Sequence, residues 1–386
     1  MRGINIFRIC LSALVCLAFG LGFTSSVRAD LQFSETTLNP AGWVFEANPD
    51  EQGLLWITDQ DAGQVWGLYP EDEFFEIYPV MGHPSDARHA GDSLWWADGT
   101  SNILGWASTL NGDFLTWQVA GVTGFAGTAV DVQGRFWAAD ASSGFLYRLD
   151  TSETEHELCK LVLPGGGKVT YIANDGTDLW VGDYANERIL RLKVSDNSLA
   201  TWTLPADSSP LGMVVDGAGK LWYADSNLNR IAQLDPDADT DQLTIYPLPR
   251  STSLGMLALQ DGKVWYTSSK SLTSAGSMGI LDPTLAASTS FDSEEVPGSI
   301  TPACSPISPS GSGSLTITTE DTAWGTVNYP TLVDSGGWQI FQLPEGASPW
   351  GIASMDGIWL VDQGRQVLVK LPKATESYVY LPLLIQ

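Results

Sequence analysis

A tryptophan followed three residues later by an aspartate recurs along this 386-residue chain and constrains its fold more than any other feature. Six full copies begin at Trp56, Trp95, Trp137, Trp180, Trp222 and Trp359. Two weaker copies, at Trp265 and Trp324, keep the tryptophan and lose the acid. Successive tryptophans are 39, 42, 43, 42, 43, 59 and 35 residues apart. Self-similarity at this spacing predicts an array of equivalent structural units.

Each unit continues with the same elements after its aspartate. A second apolar strand follows, as at 188–192, then an acidic turn and a third strand that ends in Leu-Pro or Tyr-Pro, as at 202–205. Four short antiparallel strands in about 40–45 residues form one blade of a β-propeller. We therefore predict an all-β fold, a β-propeller of four-stranded antiparallel blades. Eight tryptophans predict eight blades, and seven is the alternative if 265–324 holds one distorted blade.

The N-terminal 29 residues have the three parts of a secretory signal peptide. Arg2 and Arg8 precede an apolar run at 9–23, and small residues stand at Val27 and Ala29. This pattern predicts cleavage after Ala29 and a secreted protein. The run is shorter than the ~20 residues that span a membrane, so we expect no transmembrane span after signal removal.

The mature chain, 30–386, is predicted to be a single propeller domain and a monomer. A segment rich in Ser, Pro and Gly at about 288–314 indicates an irregular insertion. Either 31–38 or 378–382 could supply the outer strand that closes the ring. After the signal only Cys159 and Cys304 remain, three repeats apart, and we expect two unpaired thiols.

The charge of the chain excludes one class of partner. Asp and Glu number 45 against 19 Lys and Arg, a net charge of −26. Binding to nucleic acid needs a basic surface that neutralises phosphates, so a nucleic-acid protein is excluded. A content of 44% hydrophobic and only 17% charged residues likewise excludes a disordered chain.

Several blade openings resemble the streptogramin B lyase family of propellers, with weaker similarity to NHL-type repeats. That family's blade begins Ser-x-Pro-x-Gly-Ile and continues through Asp-Gly-x-Leu-Trp; 348–352 with 356–359, and 209–213 with 217–222, are similar. The resemblance implies a lyase that opens a cyclic depsipeptide antibiotic with Mg²⁺. It also implies a His directly after Pro and a nearby Glu, at the rim where first strands start and second strands end.

The residues at those positions differ from the lyase set. After proline this chain has Ala41, Ser85, Leu211, Ile307 and Trp350, and the acid after tryptophan is always Asp. Its three histidines, His83, His89 and His156, lie outside the positions that the repeat defines, although His89 precedes Trp95 on an inner strand. A general base must reach the proton that it removes, so we predict no catalytic residue.

The candidate binding residues are instead those that the repeat places at the channel rim. They are Asp59, Asp98, Asp140, Asp183, Asp225, Asp362, Trp350 and His89. Asp before a polar loop usually fixes a turn by accepting backbone N–H groups, and this is the preferred interpretation. By resemblance to gluconolactonase-type propellers, a few of these acids could instead hold Ca²⁺ or Mg²⁺. The acidic run at 235–241 is read in the same two ways, as a Ca²⁺ loop or as an ordinary turn. The sequence also contains Trp43, Trp96, Trp350 and Phe125, which could gather at one rim as an aromatic binding surface, although packing between blades is the preferred prediction for each.

These observations predict a secreted, acidic propeller that binds a small molecule or a protein at the rim of its central channel. The alternatives are a metal-assisted enzyme, either a streptogramin B lyase-like C–O lyase or a gluconolactonase-like enzyme, and an extracellular scaffold without a small ligand. No cofactor is required by the pattern.

Overall fold

A computed structural model describes residues 31–38, 44–151, 155–250, 253–269 and 275–372. The described residues from 32 to 372 belong to one compact unit. The described residues form seven antiparallel sheets of five strands each. None of them lies in a helix long and apolar enough to cross a membrane.

The strands are numbered in chain order. The first, β1, is Phe33–Thr37. Blade 1 contains β2–β5: Val44–Pro49, Leu55–Asp59, Gln64–Tyr69 and Phe74–Pro79. Blade 2 contains β6–β9: Pro84–Ala90, Ser93–Asp98, Ile103–Ser108 and Asp113–Gln118. Blade 3 contains β10–β13: Phe125–Val130, Phe136–Asp140, Phe145–Thr151 and His156–Val162. Blade 4 contains β14–β17: Val169–Asn174, Asp178–Asp183, Arg188–Lys193 and Ser198–Thr203. Blade 5 contains β18–β21: Pro210–Val215, Leu221–Asp225, Arg230–Leu234 and Leu243–Pro247.

The last two blades are interrupted or completed by distant segments. Blade 6 begins with β22–β24, which are Ser253–Gln260, Lys263–Ser269 and Ser277–Leu281. Seven short strands follow before this blade resumes: β25–β31 are Thr289–Phe291, Glu295–Ser299, Ala303–Pro306, Gly311–Ser314, Thr318–Asp321, Gly325–Val327 and Thr331–Ser335. Its fourth strand is β32, Trp338–Gln342. Blade 7 contains β33–β35, which are Pro349–Ser354, Gly357–Asp362 and Val367–Pro372, and takes β1 as its fourth strand.

The first strands of successive blades contact one another in a closed ring, which includes the pairs β2–β33 and β22–β33. They surround the central axis, and the later strands of each blade lie progressively farther out. The ring is closed by pairing of β1 with β35, so the N-terminal strand is the one that completes blade 7. Residues 378–382, the alternative for this position, lie outside the described residues.

The core lies between neighbouring blades, where each sheet buries both of its faces. Every residue of the second strands β3, β11, β15, β19 and β34 is buried. The repeating tryptophan lies on the second strand of all seven blades, as the spacing predicted. Glycine on a third strand makes room for one such ring: a Cβ at Gly67 would lie 3.0 Å from the ring of Trp56.

The prediction of a β-propeller is confirmed, but the leading number of eight blades is wrong and seven, the alternative, is correct. Trp324 is not on a blade strand: it lies between β29 and β30 and packs edge-on against Trp359 at 5.8 Å. Each sheet also has five strands instead of the predicted four, because β25–β31 add one strand to the outer edge of every blade.

We call residues 289–335, which contain these seven strands, the belt. It runs around the ring against the order of the blades: β25 pairs with β21 of blade 5, and β26 with β17 of blade 4. The circuit continues past blades 3, 2, 1 and 7 and ends where β31 pairs with β32 of blade 6. The segment predicted as an irregular insertion, 288–314, contains the first four belt strands.

The prediction of two unpaired thiols is wrong, because Cys159 and Cys304 form a disulfide. Cys159 lies on β13 and Cys304 on β27, and the two residues are paired directly across the ladder. Sequence distance suggested separation, but the backward path of the belt brings Cys304 to blade 3.

Candidate functional site

The six repeat aspartates all lie at the ends of second strands and are at most 1% exposed. Each faces the start of its blade's first strand, as the ladder pairs Pro84–Asp98 and Pro210–Asp225 show. This is the rim arrangement that the sequence predicted. The carboxylates are nevertheless buried in the turns and accept hydrogen bonds there.

The contacts of these aspartates are local. Asp98 accepts backbone N–H groups of His83, Thr100 and Ser101, each at 2.6 Å. Asp140 accepts the N–H of Ser142 at 3.0 Å, and Asp59 accepts that of Ala62 at the same distance. Burial, the largest cause, raises the pKa of Asp59.

In blades 4, 5 and 7 the carboxylate of the repeat aspartate also pairs with an arginine. Arg188, Arg230 and Arg365 donate from Nε to Asp183, Asp225 and Asp362 at 2.8, 2.9 and 2.6 Å. The other oxygen of each carboxylate accepts the N–H of the residue that enters the first strand: Lys168, Ser209 or Ser348. The aspartates thus hold the turn, the connection between blades and an arginine together.

The residues at this rim do not fit a Mg²⁺ or Ca²⁺ site. The aspartates lie on six blades, and each is engaged within its own turn. Among the described residues, one group of three potential ligands lies within reach of a shared ion, namely Glu157, Cys159 and Cys304. The two sulfurs of that group are bonded to each other and provide no thiolate.

The acidic run at 235–241 joins the third and fourth strands of blade 5. Asp235 pairs with Lys220 at 2.7 Å, and this hydrogen bond, the largest cause, lowers the pKa of Asp235. The N–H of Asp241 donates to Asp292 of the belt. The carboxylate of Asp235 also accepts the N–H of Asp237, so the start of the run is bonded as a turn.

Two of the four aromatic residues that could form a rim surface are internal. Trp96 is fully buried and donates its indole N–H to the carbonyl of Met81. Phe125 is 2% exposed and packs edge-on against Tyr147. Trp350 is half-buried, and its carbonyl accepts the hydroxyl of Thr267 at 2.8 Å. Trp43 lies outside the described residues.

A cavity of about 590 Å³ lies at the opposite end of the first strands. All seven blades line it where those strands end, from Pro49 of β2 to Ser354 of β33. This mouth is distant from the repeat aspartates because first and second strands are antiparallel. The repeat aspartates and Trp350 lie at the opposite end of the channel from the cavity. His89, the other predicted rim residue, lines the cavity.

One wall of the cavity is polar. Asp86, 2% exposed, accepts the side-chain amide of Asn48 at 2.8 Å, the N–H of Thr128 at 2.7 Å and Nη2 of Arg88 at 3.1 Å. Arg88 also donates from Nε to the carbonyl of Thr128. This network connects the first strands of blades 1, 2 and 3, and fixes the guanidinium of Arg88 at the cavity.

His89 is next to Arg88 on the same strand and lines the cavity. Its Nδ1 lies 2.8 Å from Asp50, its ring stacks on Trp56 at 4.5 Å, and its side chain is only 4% exposed. Asp50 also accepts the indole N–H of Trp56 at 2.7 Å. Burial favours a higher pKa for Asp50, but the hydrogen bonds from His89, Trp56 and Leu54 outweigh it and lower the pKa.

The other wall is apolar and comes from blades 5, 6 and 7. Met213, Val214 and Val215 of β18 face this space together with Leu257, Leu259 and Ile352. The cavity therefore presents hydrogen-bonding groups on one side and an aliphatic surface on the other, which is typical of small-molecule sites.

Sequence analysis missed a second repeated aspartate. Asp50, Asp131, Asp175 and Asp216 precede the repeat tryptophan by five or six residues and accept its indole N–H at 2.7–3.0 Å. The signal was visible as Asp five or six residues before Trp. The polar residues that line the cavity had no such signal, because they do not recur at equivalent positions in the other blades.

A seven-bladed β-propeller with a ligand-sized central cavity is the class of protein that this fold defines. The virginiamycin B lyase family model matches residues 113–282. A virginiamycin B lyase from Nocardia farcinica is 28% identical over 142 residues, 36% of this chain. The match spans 47% of that relative, about half its length.

Solved structures share the fold over most of the chain. Virginiamycin B lyase from Staphylococcus aureus has a TM-score of 0.64 at 16% identity, and covers 89% of this chain and 100% of its own. YCF48 bound to D1 peptide has a TM-score of 0.56 at 13% identity, with 90% and 99% covered. This chain is a virginiamycin B lyase-like β-propeller, and the predicted resemblance is confirmed.

Proposed function

We propose that this protein binds a small amphipathic molecule in the central cavity of its propeller. The observation that carries the proposal is the cavity of about 590 Å³ with one polar and one aliphatic wall. Sites for small molecules usually have volumes of about 300–1,000 Å³ and a few fixed polar groups. Asn48 and Arg88 supply such groups, and the buried carboxylate of Asp86 holds both of them in place before a ligand arrives.

Binding is tested with the amphipathic dye 8-anilinonaphthalene-1-sulfonate, titrated into the folded protein by fluorescence. Val214 lines the aliphatic wall. Val214→Trp should fill part of the cavity and weaken dye binding by about 10-fold or more, because the ligand loses contacts in the pocket. The matched control is Val296→Trp, at a belt position that is 58% exposed. Equal dye affinity of wild type and Val214→Trp, with both folded, would contradict the proposal.

A second candidate is a lyase, because His89 is a histidine that lines the cavity. The structure of catalytically inactive virginiamycin B lyase from Staphylococcus aureus contains quinupristin, so that antibiotic is the appropriate probe. We expect purified protein with quinupristin and Mg²⁺ to give no linearised product above the buffer rate. His89 is 4% exposed and already bonded to Asp50, so it is poorly placed to remove a substrate proton.

Product analysis by mass spectrometry separates the two functions. Linearised antibiotic that disappears in His89→Ala and persists in Trp350→Ala would establish the lyase. Persistence in both variants would assign the activity to other residues. Absence of product with retained dye binding supports the binding protein.

We also infer that the protein is exported. The N-terminal pattern that ends at Ala29 supports export, and so does the disulfide, since disulfides persist mainly in oxidising compartments. Mass spectrometry of the secreted protein should find Asp30 as its first residue. Retention of residues 1–29 in the mature protein would contradict this inference.

A further inference from the structure

The belt is a loop that begins and ends at the same blade. Leu281 of β24 pairs with Trp338 of β32, and the whole belt lies between these two residues. From this anchor at blade 6 the chain crosses blades 5 and 4, reaches blade 3, and returns through blades 2, 1 and 7. The disulfide from Cys304 to Cys159 is therefore on the far side of the ring from the anchor.

The strands of the belt are held to the blades mainly by backbone hydrogen bonds. Its strands form ladders of only three to five residue pairs, as in β26 with β17 and β30 with β1. All five residues of β26 and all four of β27 are exposed. Short exposed ladders of this kind open locally at low free-energy cost.

Between its strands the belt places an apolar side chain against four of the grooves between blades. Ile300 is 6% exposed and belongs to the core of blades 3 and 4, and Ile307, Ile317 and Trp324 pack against the next cores in turn. The N–H groups of Ile300 and Ile307 also donate to turn carbonyls, those of Asn197 and His156. The belt thus connects neighbouring blades as well as covering their edges.

The belt also reaches the place where the ring closes. Its strand β30 pairs with β1, and Tyr329 hydrogen-bonds to Glu35 of that strand and packs on Phe33 with ring centroids 4.9 Å apart. Glu35 in turn pairs with Arg365 of blade 7 at 2.7 Å. Belt attachment and closure by the N-terminal strand are therefore structurally connected.

We propose that the belt is a redox-sensitive strap around the propeller and that the disulfide of Cys159 and Cys304 is its latch. While the bond is intact, the strap is fixed on opposite sides of the ring. When the bond is reduced, the belt leaves the outer edges while the four-stranded blades stay folded. This inference is independent of ligand binding in the cavity.

The environment of the disulfide permits the exchange. Cys304 is exposed, whereas Cys159 is fully buried, so an external dithiol attacks through one thiolate at Sγ of Cys304. The S–S bond breaks and its electron pair goes to Sγ of Cys159, which lies 3.3 Å from Nη2 of Arg148 on β12. The second thiolate of the dithiol then displaces Cys304, so the dithiol is oxidised and both cysteines are reduced. The cationic neighbour stabilises the leaving thiolate.

The test is hydrogen exchange of the full mature protein, oxidised or treated with dithiothreitol, followed by mass spectrometry. Belt peptides from 289–335 should exchange on the order of 100-fold faster after reduction, the effect expected for releasing a loop closed by a disulfide. Peptides that contain β15 or β19 should not change. A double variant, Cys159→Ser with Cys304→Ser, should match the reduced protein without any reductant.

Ser305→Ala is the matched control, since it alters β27 and leaves the latch intact. Unchanged belt protection in protein whose two thiols are shown free by labelling would overturn the proposal. Simultaneous loss of protection in belt and blades would also overturn it, because the strap would then not be a separable unit. Both outcomes are distinguishable from failure of dye binding, which is measured on the oxidised protein.

Discussion

The blades and the belt are both built from short antiparallel strands repeated seven times around one axis, yet they depend on different interactions. A blade unit is about 42 residues long, and its second strand, such as Asp178–Asp183, is buried at every position. A belt unit needs only six to eight residues, and Glu295–Ser299 is exposed at every position. Blade strands are held in place by side chains, and belt strands by backbone pairing with an edge that already exists.

This difference explains why one repeat was evident in the sequence and the other was not. Burial between two neighbours requires the same large apolar residue at the same place in every blade, and tryptophan satisfies that requirement. A strand added to an exposed edge needs only free N–H and C=O groups, which every residue except proline supplies. Its sequence is therefore nearly unconstrained apart from the apolar residues that pack against four of the grooves.

The largest expected effect tests this contrast directly. Trp180 is fully buried, stacks on Trp202 and donates its indole N–H to Asp175. Trp180→Ala should reduce the free energy of unfolding by about 3–5 kcal/mol through a cavity in the core. Val296→Ala on the belt should change it by less than about 0.5 kcal/mol. Urea unfolding measures both, and similar losses would show that belt side chains matter as much as blade side chains.

An intermediate effect is expected at the rim of the blades. Asp225→Ala should cost about 2–3 kcal/mol, because Arg230 and the N–H of Ser209 lose their acceptor in a buried turn. Asp225→Asn, which keeps an acceptor oxygen of the same size, should lose less. Thermal melting distinguishes them. If Asp225→Ala melts like wild type but loses cation binding, the metal interpretation of the rim aspartates is correct and the turn-fixing interpretation is wrong.

The smallest effect is a pH dependence at Asp50. Because hydrogen bonds hold the pKa of Asp50 below its ordinary value of 3.8, the ionised carboxylate stabilises the fold above that pH. This contribution is lost as the pH falls through the lowered pKa. Asp50→Asn should therefore melt below wild type at neutral pH, and the difference in melting temperature should shrink as the pH falls from 3.8 through the lowered pKa. A difference in melting temperature that is the same at pH 7 and at pH 3 would contradict the assignment.

The sequence predicted more of the fold than of the site. The tryptophan spacing identified the blades, and the Trp-x-x-Asp pattern correctly placed the aspartates opposite the starts of first strands. It overcounted by one blade because Trp324, a belt residue, has the same residue type as the blade tryptophans. The cavity was not predicted, since Asn48 of blade 1 and Arg88 and His89 of blade 2 line it without being part of the repeat.

By itself the sequence determined what is repeated: the strand pattern, the buried tryptophans and the acidic turns, all of which depend on contacts within a blade or between adjacent blades. The tertiary structure decided what occurs once. Seven blades closed the ring, β1 supplied the last strand, and the belt took a reverse path that brought Cys304 to Cys159, residues separated by 145 positions. Positions that are buried in the same way in every blade require the same type of residue, so these residues recur at a regular spacing in the sequence. Ring closure and the path of an edge strand depend on backbone groups that every residue shares, so they produce no recurring sequence pattern.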